Sequence, residues 1–430
     1  MLDIQKIRNN PEEVKNALKK RLYDVDFTEL LSWDKERRSI IAESEELKAK
    51  RNKISAEIPA LKKQGKDISE LLADMKNVSD TIKKMDDQLR EIEGKINDFL
   101  AGLPNIPADD VVAGGKENNQ VIRVYGEKPE FSFETKNHVD LVTDLGLVDY
   151  ERGAKIGGSG FWVYTNDGAL LEWALLNYFI EEHIKDGYEF LLPPHILTYG
   201  CGFAAGQFPK FTDDVFKVET SEVNDKMQFL LPTAETALIN YHRDEILKEE
   251  DLPKKYFAYT PCYRKEAGSY RAEERGMIRG HQFNKVEMFQ FTLPEHSEEA
   301  LEELIGKAEK LVQGLGLHHR VSKLAAQDCS ASMGKTYDIE VWIPSMNDYK
   351  EVSSCSNAYD YQARRGNIRF KRKNAKKTEF VHTLNGSGLA TSRLLPAIVE
   401  QNQQEDGSVI VPEVLRKWIG KDVLKPVNSK

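Results

Sequence analysis

Between Ile68 and Phe99 the apolar residues fall at Ile68, Leu71, Met75, Val78, Ile82, Met85, Leu89, Ile92, Ile96 and Phe99. The steps alternate three and four, which puts a continuous apolar stripe on one side of a helix and makes a coiled-coil seam. A preceding stretch carries Trp33, Ile40, Leu47, Ile54, Ile58 and Leu61 on one face, with Ser44 and Arg51 interrupting it. The segment Lys62-Lys63-Gln64-Gly65-Lys66-Asp67 between them reads as a polar turn. Two helices joined by so short a loop run antiparallel. At about 1.5 Å per residue the second would reach roughly 50 Å. Residues 1–103 are therefore expected to form an antiparallel two-helix coiled-coil arm. Taken alone, such an arm is more often an oligomerisation device than a ligand-binding one, and Lys62, Lys63 and Lys66 at its tip, though able to touch phosphates, usually mean a solvated cluster.

The whole chain, at 430 residues, is too long for one ordinary domain. Pro104, Pro107, Gly114 and Gly115 mark residues 104–120 as a linker, which leaves 121–430 as a second domain. Strands are expected at Val121–Tyr125, Tyr256–Tyr263, Lys285–Phe291, Glu340–Ile343, Lys350–Ser354 and Glu379–Leu384, and helices at Ala169–Lys185, Ser297–Leu315 and Leu389–Gln403. Strands clustered in sequence point to antiparallel pairing and an α+β fold, not a doubly wound parallel sheet.

Several function classes fall away. The most apolar stretch, Leu170–Ile184, is broken by Glu172, Glu181 and Glu182, so no membrane span is expected. The first residues carry Asp3, Lys6 and Arg8 with no apolar segment behind them, unlike a signal peptide. Cys201, Cys262, Cys329 and Cys355 lie far apart, without partners at zinc-ligand spacing, so neither structural zinc nor a disulfide framework is expected. Scattered free thiols suit a reducing cytoplasm, and buried structural roles suit Cys262 and Cys355. A net charge of −9 argues against indiscriminate nucleic-acid binding but leaves room for a local basic surface. Met333-Gly334-Lys335-Thr336 resembles the tail of a P-loop, but Cys329 stands where its first Gly belongs. Gly200, Gly202 and Gly206 miss the dinucleotide-binding spacing.

Two clusters carry chemistry. Thr260-Pro261-Cys262-Tyr263-Arg264-Lys265-Glu266-Ala267-Gly268-Ser269 leads through a charged loop to Arg275 and on to Gly280-His281-Gln282-Phe283-Asn284-Lys285-Val286-Glu287. This reads as a hairpin whose first strand ends in Arg264 and Glu266 on one face, with Phe283 and Glu287 on the second strand. Arginine clamps a phosphate, a carboxylate reads an amine and a phenyl ring stacks on a base. Near the end, Thr383-Leu384-Asn385-Gly386-Ser387-Gly388-Leu389-Ala390-Thr391-Ser392-Arg393 reads as a β-run that breaks at small residues and opens a helix with Arg393 in its first turn. Alone, Asn-Gly-Ser-Gly is a common turn.

Together these segments resemble motifs 2 and 3 of class II aminoacyl-tRNA synthetases, in the version of the bacterial-type seryl-tRNA synthetases. Gly206-Gln207-Phe208-Pro209-Lys210-Phe211, Pro232-Thr233-Ala234-Glu235, Glu351-Val352-Ser353-Ser354-Cys355-Ser356-Asn357 and Gln403-Gln404-Glu405-Asp406-Gly407-Ser408 extend the likeness, and the arm fits it. The resemblance implies a mixed, mostly antiparallel β-sheet flanked by helices, and the ligation of L-serine to the 3′ end of tRNA(Ser) through a seryl-adenylate. It also allows tRNA(Sec) as a substrate. By the same resemblance Thr233, Ala234, Glu235, Glu287, Asn385 and Ser387, with Arg264, would bind serine. Arg264, Lys265, Glu266, Gly280, Phe283, Glu351, Val352, Ser353, Ser354 and Arg393 would bind ATP, with Mg2+ on Glu351 and Ser354. Arg264, Glu266 and Arg393 would serve catalysis, and Pro194 would lie at a homodimer interface. Some positions depart from the usual pattern: Lys265 in place of Ser, Gly280 in place of Val, Thr391-Ser392 in place of Val-Gly, and Phe203-Ala204-Ala205-Gly206 in place of a Thr-Gly start. A ligase acting on a carrier protein would lack the arm, a silent paralogue would have lost Arg264, Glu266, Glu351 or Arg393, and a purely structural coil leaves the C-terminal motifs unexplained.

Overall fold

The structure is a computed structural model and describes residues 1–65, 67–219, 227–266 and 276–427. Ala267, Gly268, Ser269 and Arg275 of the hairpin motif, and Lys66 of the arm, lie outside the described residues. The chain divides into two units, one of Leu2–Asn16 with Asp24–Leu103, the other of Met1, Ala17–Tyr23 and Pro104–Lys430.

The first unit is built on helices α1 (Thr28–Lys63) and α2 (Ser69–Gly102), packed along each other. Helix α1 takes in Lys62 and Lys63, so the turn is shorter than the sequence suggests. Ile82, Ile92, Ile96 and Leu100 of α2 are buried, with Leu30 and Ile40 of α1. Farther out, Leu71, Met75 and Val78 are only half-buried, because two helices alone cannot enclose a seam. Lys48 and Asp86 tie the helices at 2.9 Å. Phe99 packs at the base against Phe27 and Trp33, at centroid distances of 6.4 and 6.3 Å. Asp34, only 1% exposed, accepts from Arg8 at 2.6 and 3.0 Å, Arg37 at 3.1 Å and Arg38 at 3.2 Å. Burial alone would raise its pKa, but the guanidinium groups hold it below the usual carboxylate range.

The second unit centres on an eight-stranded sheet. Its elements are β1 (Gln120–Tyr125), α3 (Asp167–Lys185), β2 (Glu189–Leu191), β3 (Lys254–Tyr263), β4 (Gln282–Thr292), α4 (Ser297–Gly314), β5 (His319–Lys323), β6 (Lys335–Ile343), β7 (Asp348–Tyr359), β8 (His382–Ala390) and α5 (Thr391–Gln401). The strand order is β1-β5-β6-β7-β8-β4-β3-β2. Every neighbouring pair is antiparallel except β2 with β3, so the expected mixed, mostly antiparallel sheet is present. Leu171 and Leu175 of α3, Leu304 and Leu311 of α4 and Ile398 of α5 share one core with Phe257, Val286 and Ile339 of the sheet. Cys262, Cys329 and Cys355 are buried free thiols.

Three local expectations are corrected. Strand β8 runs straight through Asn385-Gly386-Ser387-Gly388, and the helix begins at Thr391, not Leu389. A Cβ on Gly388 would lie 2.1 Å from His183 Nε2, so this glycine allows close passage over α3 and makes no turn. Strand β3 ends at Tyr263, so Arg264 and Glu266 lie just beyond it, with Glu266 at φ 49° in the left-handed region. Residues 104–120 are no loose tether. Asn105 is buried and donates through Nδ2 to the carbonyls of Ser332 at 3.0 Å and Ala358 at 2.9 Å, and Val111 is buried. Their proline-rich backbone finds its hydrogen bonds within the second unit, where composition alone suggests solvent.

Candidate active site

Strands β4, β7 and β8 are adjacent in the sheet, so side chains two apart on each project into common space. Glu287 on β4 lies opposite Ser387 on β8. Its carboxylate is wholly buried and accepts from Asn385 Nδ2 at 3.1 Å and Ser387 Oγ at 3.4 Å. Lys285, two residues earlier on the same strand and 5% exposed, pairs with Glu287 at 2.5 Å and donates to Thr233 Oγ1 at 2.6 Å. Thr233 leads into the short helix that presents Glu235. Glu235 accepts from Gln362 Nε2 at 2.6 Å. Burial, then the nearby Glu287, pushes the Glu235 carboxyl up to about 7.

Thr233, Glu235, Lys285, Asn385 and Ser387 border a cavity of about 790 Å³, whose wall also includes Arg264 and Arg393. Arg264 donates through Nε to the Pro232 carbonyl at 3.3 Å and lies 5.2 Å from the Phe283 ring centroid. A contiguous space of about 70 Å³ is bordered by Glu266, Gly280, Phe283, Val352 and Arg393. Arg279 pairs with Glu266 at 2.9 Å. Arg393 donates to the Glu351 carbonyl at 2.8 Å and reaches its carboxylate at 3.5 Å. Ser354 and Asp338 are cross-strand partners on β7 and β6 and border the large cavity beside Glu351. Burial, and the neighbouring Glu351, raise the Asp338 pKa, and its buried Oδ1 has no hydrogen-bond partner among the described residues. A third space of about 450 Å³ shares Thr233, Glu235 and Arg264 and is walled by Phe211, Val215 and Ser330–Met333.

Most of the residues expected from sequence thus converge, and four do not border these spaces. Glu287 is wholly buried and meets the cavity only through Lys285, Asn385 and Ser387. Ala234 packs into an apolar cluster with Leu238 and Phe289. Ser353 is buried and donates to the Ser387 carbonyl at 2.6 Å, which fixes β7 against β8. Lys265 is exposed and reaches the Asp213 carbonyl at 3.4 Å. Sequence reasoning passed over Lys285, Arg279, Asp338, Glu340 and Gln362. Lys285 had a signal: with Phe283 and Glu287 it follows the two-residue period of one strand face. Gln362 lies 127 positions from Glu235 and gave none.

The description "tRNA synthetase class II core domain (G, H, P, S and T)" matches residues 216–402, and "Seryl-tRNA synthetase N-terminal domain" matches residues 1–107. The chain is 67% identical to serine–tRNA ligase 2 of Clostridium acetobutylicum, over 99% of this chain and 100% of that one. It is 49% identical to the serine–tRNA ligase of Thermodesulfovibrio yellowstonii, over 99% and 100%. Among solved structures, seryl-tRNA synthetase from Pyrococcus horikoshii complexed with ATP superposes with a TM-score of 0.91 at 36% identity, covering 100% of both chains. A two-helix arm, a mostly antiparallel sheet carrying both motifs, and full-length identity of this order leave one assignment: the chain belongs to the seryl-tRNA synthetase family.

Proposed function

We propose that this serine–tRNA ligase activates L-serine with ATP in the space between β4, β7 and β8 and passes the seryl group to the 3′ end of tRNA(Ser). The observation that carries the reading is the convergence of Thr233, Glu235, Asn385, Ser387 and Arg264 on one cavity. An amino acid's ammonium needs acceptors, and Glu235 offers one. Asn385 Oδ1 is buried without a partner among the described residues, a costly state that a bound donor would relieve. A site that hydrogen-bonds the serine hydroxyl rejects alanine, because its polar groups would then be left unpaired.

The serine carboxylate oxygen attacks the α-phosphorus, the bond to the bridging oxygen of pyrophosphate breaks, and seryl-adenylate forms. Arg264 and Arg393 would face charge that builds in that step, where fixed cations act without reorganising. Glu266, Phe283 and Gly280 line the side of the site where the adenine ring would lie, with Phe283 offering a face to stack on. The terminal ribose hydroxyl of the tRNA then attacks the seryl carbonyl carbon and AMP leaves. Mg2+ fits the oxygen donors beside the ATP residues: the Glu351 carboxylate, the Ser354 hydroxyl and the unpartnered buried oxygen of Asp338 suit a hard cation. When bound it would neutralise phosphate charge. A homodimer is supported by exposed Leu170 and Trp173 on α3 and by Phe190 on the sheet's edge strand, close in sequence to exposed Pro194. Charging of tRNA(Sec) rests on family likeness alone.

The test is pyrophosphate exchange with each of the twenty amino acids in turn. Serine alone should stimulate it. Stimulation by another amino acid, with serine inert, would overturn the assignment.

A further inference from the structure

Arg21 belongs to Ala17–Tyr23, the short segment that groups with the second unit. It is 7% exposed, and among the described residues no carboxylate pairs with it. Its guanidinium is spent on backbone carbonyls instead. Nε donates to Asn105 at 2.7 Å, Nη1 to Ala326 at 2.8 Å, Cys329 at 3.0 Å and Ser330 at 3.4 Å, and Nη2 to Met333. Asn105 supplies the remainder, its backbone N–H donating to Ala331 at 2.7 Å and its Nδ2 to Ser332 at 3.0 Å. Every carbonyl from Cys329 to Met333 is thereby drawn onto these two residues.

Burying a cation without a counter-charge is expensive, and a loop that only had to be packed would be held by apolar side chains at less cost. The rigid fork of an arginine, with its donors in a fixed plane, suits the holding of several acceptors in one arrangement. What that arrangement fixes is the wall of the site. Ser330 and Met333 border both the 790 and the 450 Å³ spaces, as do Thr233, Glu235 and Arg264.

We propose that Arg21 is a positioning residue for the amino-acid pocket: with Asn105 it holds the Cys329–Met333 wall, and through that wall it sets serine affinity and limits room for a larger side chain. The inference rests on the assignment of Thr233 and Glu235 to the serine pocket.

The experiment compares Arg21→Met, Arg21→Lys and Asn105→Ala with the wild-type chain. It measures KM for serine and for ATP in pyrophosphate exchange, exchange with threonine, and the thermal midpoint. Arg21→Met should raise the serine KM by ~10- to 100-fold, the scale on which remote misplacement acts. The ATP KM should stay near wild type and threonine exchange should gain relative to serine. Lysine, with its donors on one nitrogen, should fall between, and Asn105→Ala should move the serine KM in the same direction. A folded Arg21→Met enzyme with an unchanged serine KM overturns the proposal. So do serine and ATP constants that worsen together in step with the thermal midpoint, since that marks a merely structural residue. Should Arg21→Met fail to fold, the lysine and Asn105 variants make the same comparison. Wild-type exchange is measured first: silence toward serine removes the pocket assignment itself, whereas a normal wild-type response with indifferent variants removes only the role of Arg21.

Discussion

Glu235 and Lys285 show how much of this site is decided by single buried charges. The Glu235 carboxyl, pushed up to about 7, has a folded pKa above its unfolded one. Its contribution to stability is therefore greatest at pH below the ordinary carboxyl range and declines as pH rises toward about 7. Serine's ammonium requires the ionised form, so the serine KM should fall as pH is raised from about 6 to about 8. Glu235→Gln should flatten that profile, and a wild-type KM indifferent to pH would remove Glu235 from ammonium recognition. Lys285→Met would leave the buried Glu287 carboxylate without its cation, which should cost ~3–5 kcal/mol in a denaturant titration. Replacing both by Met should restore part of that stability but no serine-dependent exchange. A double variant no more stable than the single one would show that the pair is not coupled. Arg264, Glu266 and Phe283 were legible in the sequence because a hairpin motif carries them. Lys285 lay in the same motif, yet a lysine beside a glutamate reads equally as a solvated pair until the sheet shows both to be buried.

At the scale of elements, strand β8 carries the largest difference between reading and structure. Its small residues suggest a turn, but the reason for them is lateral: the strand passes His183 of α3 and Cys355 of β7 too closely for side chains. Nothing in Asn385–Gly388 announces those neighbours, which lie far away in the chain. Gly388→Ala would place its Cβ 2.1 Å from His183 Nε2 and force α3 or β8 to shift. We expect a loss of ~1–3 kcal/mol, the usual cost of overpacking. The serine KM should rise as well, because Asn385 and Ser387 ride on the same strand. An alanine variant with a wild-type thermal midpoint and KM would mean that the strand has slack there. The heptad in α2 and the helical faces of α3, α4 and α5 were, by contrast, plain from period alone, since amphipathic helices announce their buried side locally.

Over the whole molecule, charge is divided unevenly. The chain carries −9, yet the outer part of α1 holds Lys48, Lys50, Arg51, Lys53, Lys62 and Lys63 against Glu57. A locally basic helix segment on an acidic protein suits contact with a nucleic-acid backbone, while the net negative charge of the rest opposes indiscriminate binding. The residues assigned to serine and ATP all belong to the second unit, and this basic segment belongs to the first. Excising Glu45 to Leu89 and joining Ser44 to Arg90 through a glycine-rich turn keeps Asp34 with its arginines and Phe99 with Phe27 and Trp33, so the base of the arm has its packing. That enzyme should retain serine-dependent pyrophosphate exchange while its aminoacylation of tRNA(Ser) falls steeply. In the intact chain, the KM for tRNA should climb with salt far more than the KM for serine, since counterions are released only where phosphates are bound. Changing Lys50, Lys53, Lys62 and Lys63 to Ala should reduce that salt dependence without touching exchange. If the shortened enzyme charges tRNA as well as the full chain, the basic segment is only a solvated surface and the hairpin a structural coil.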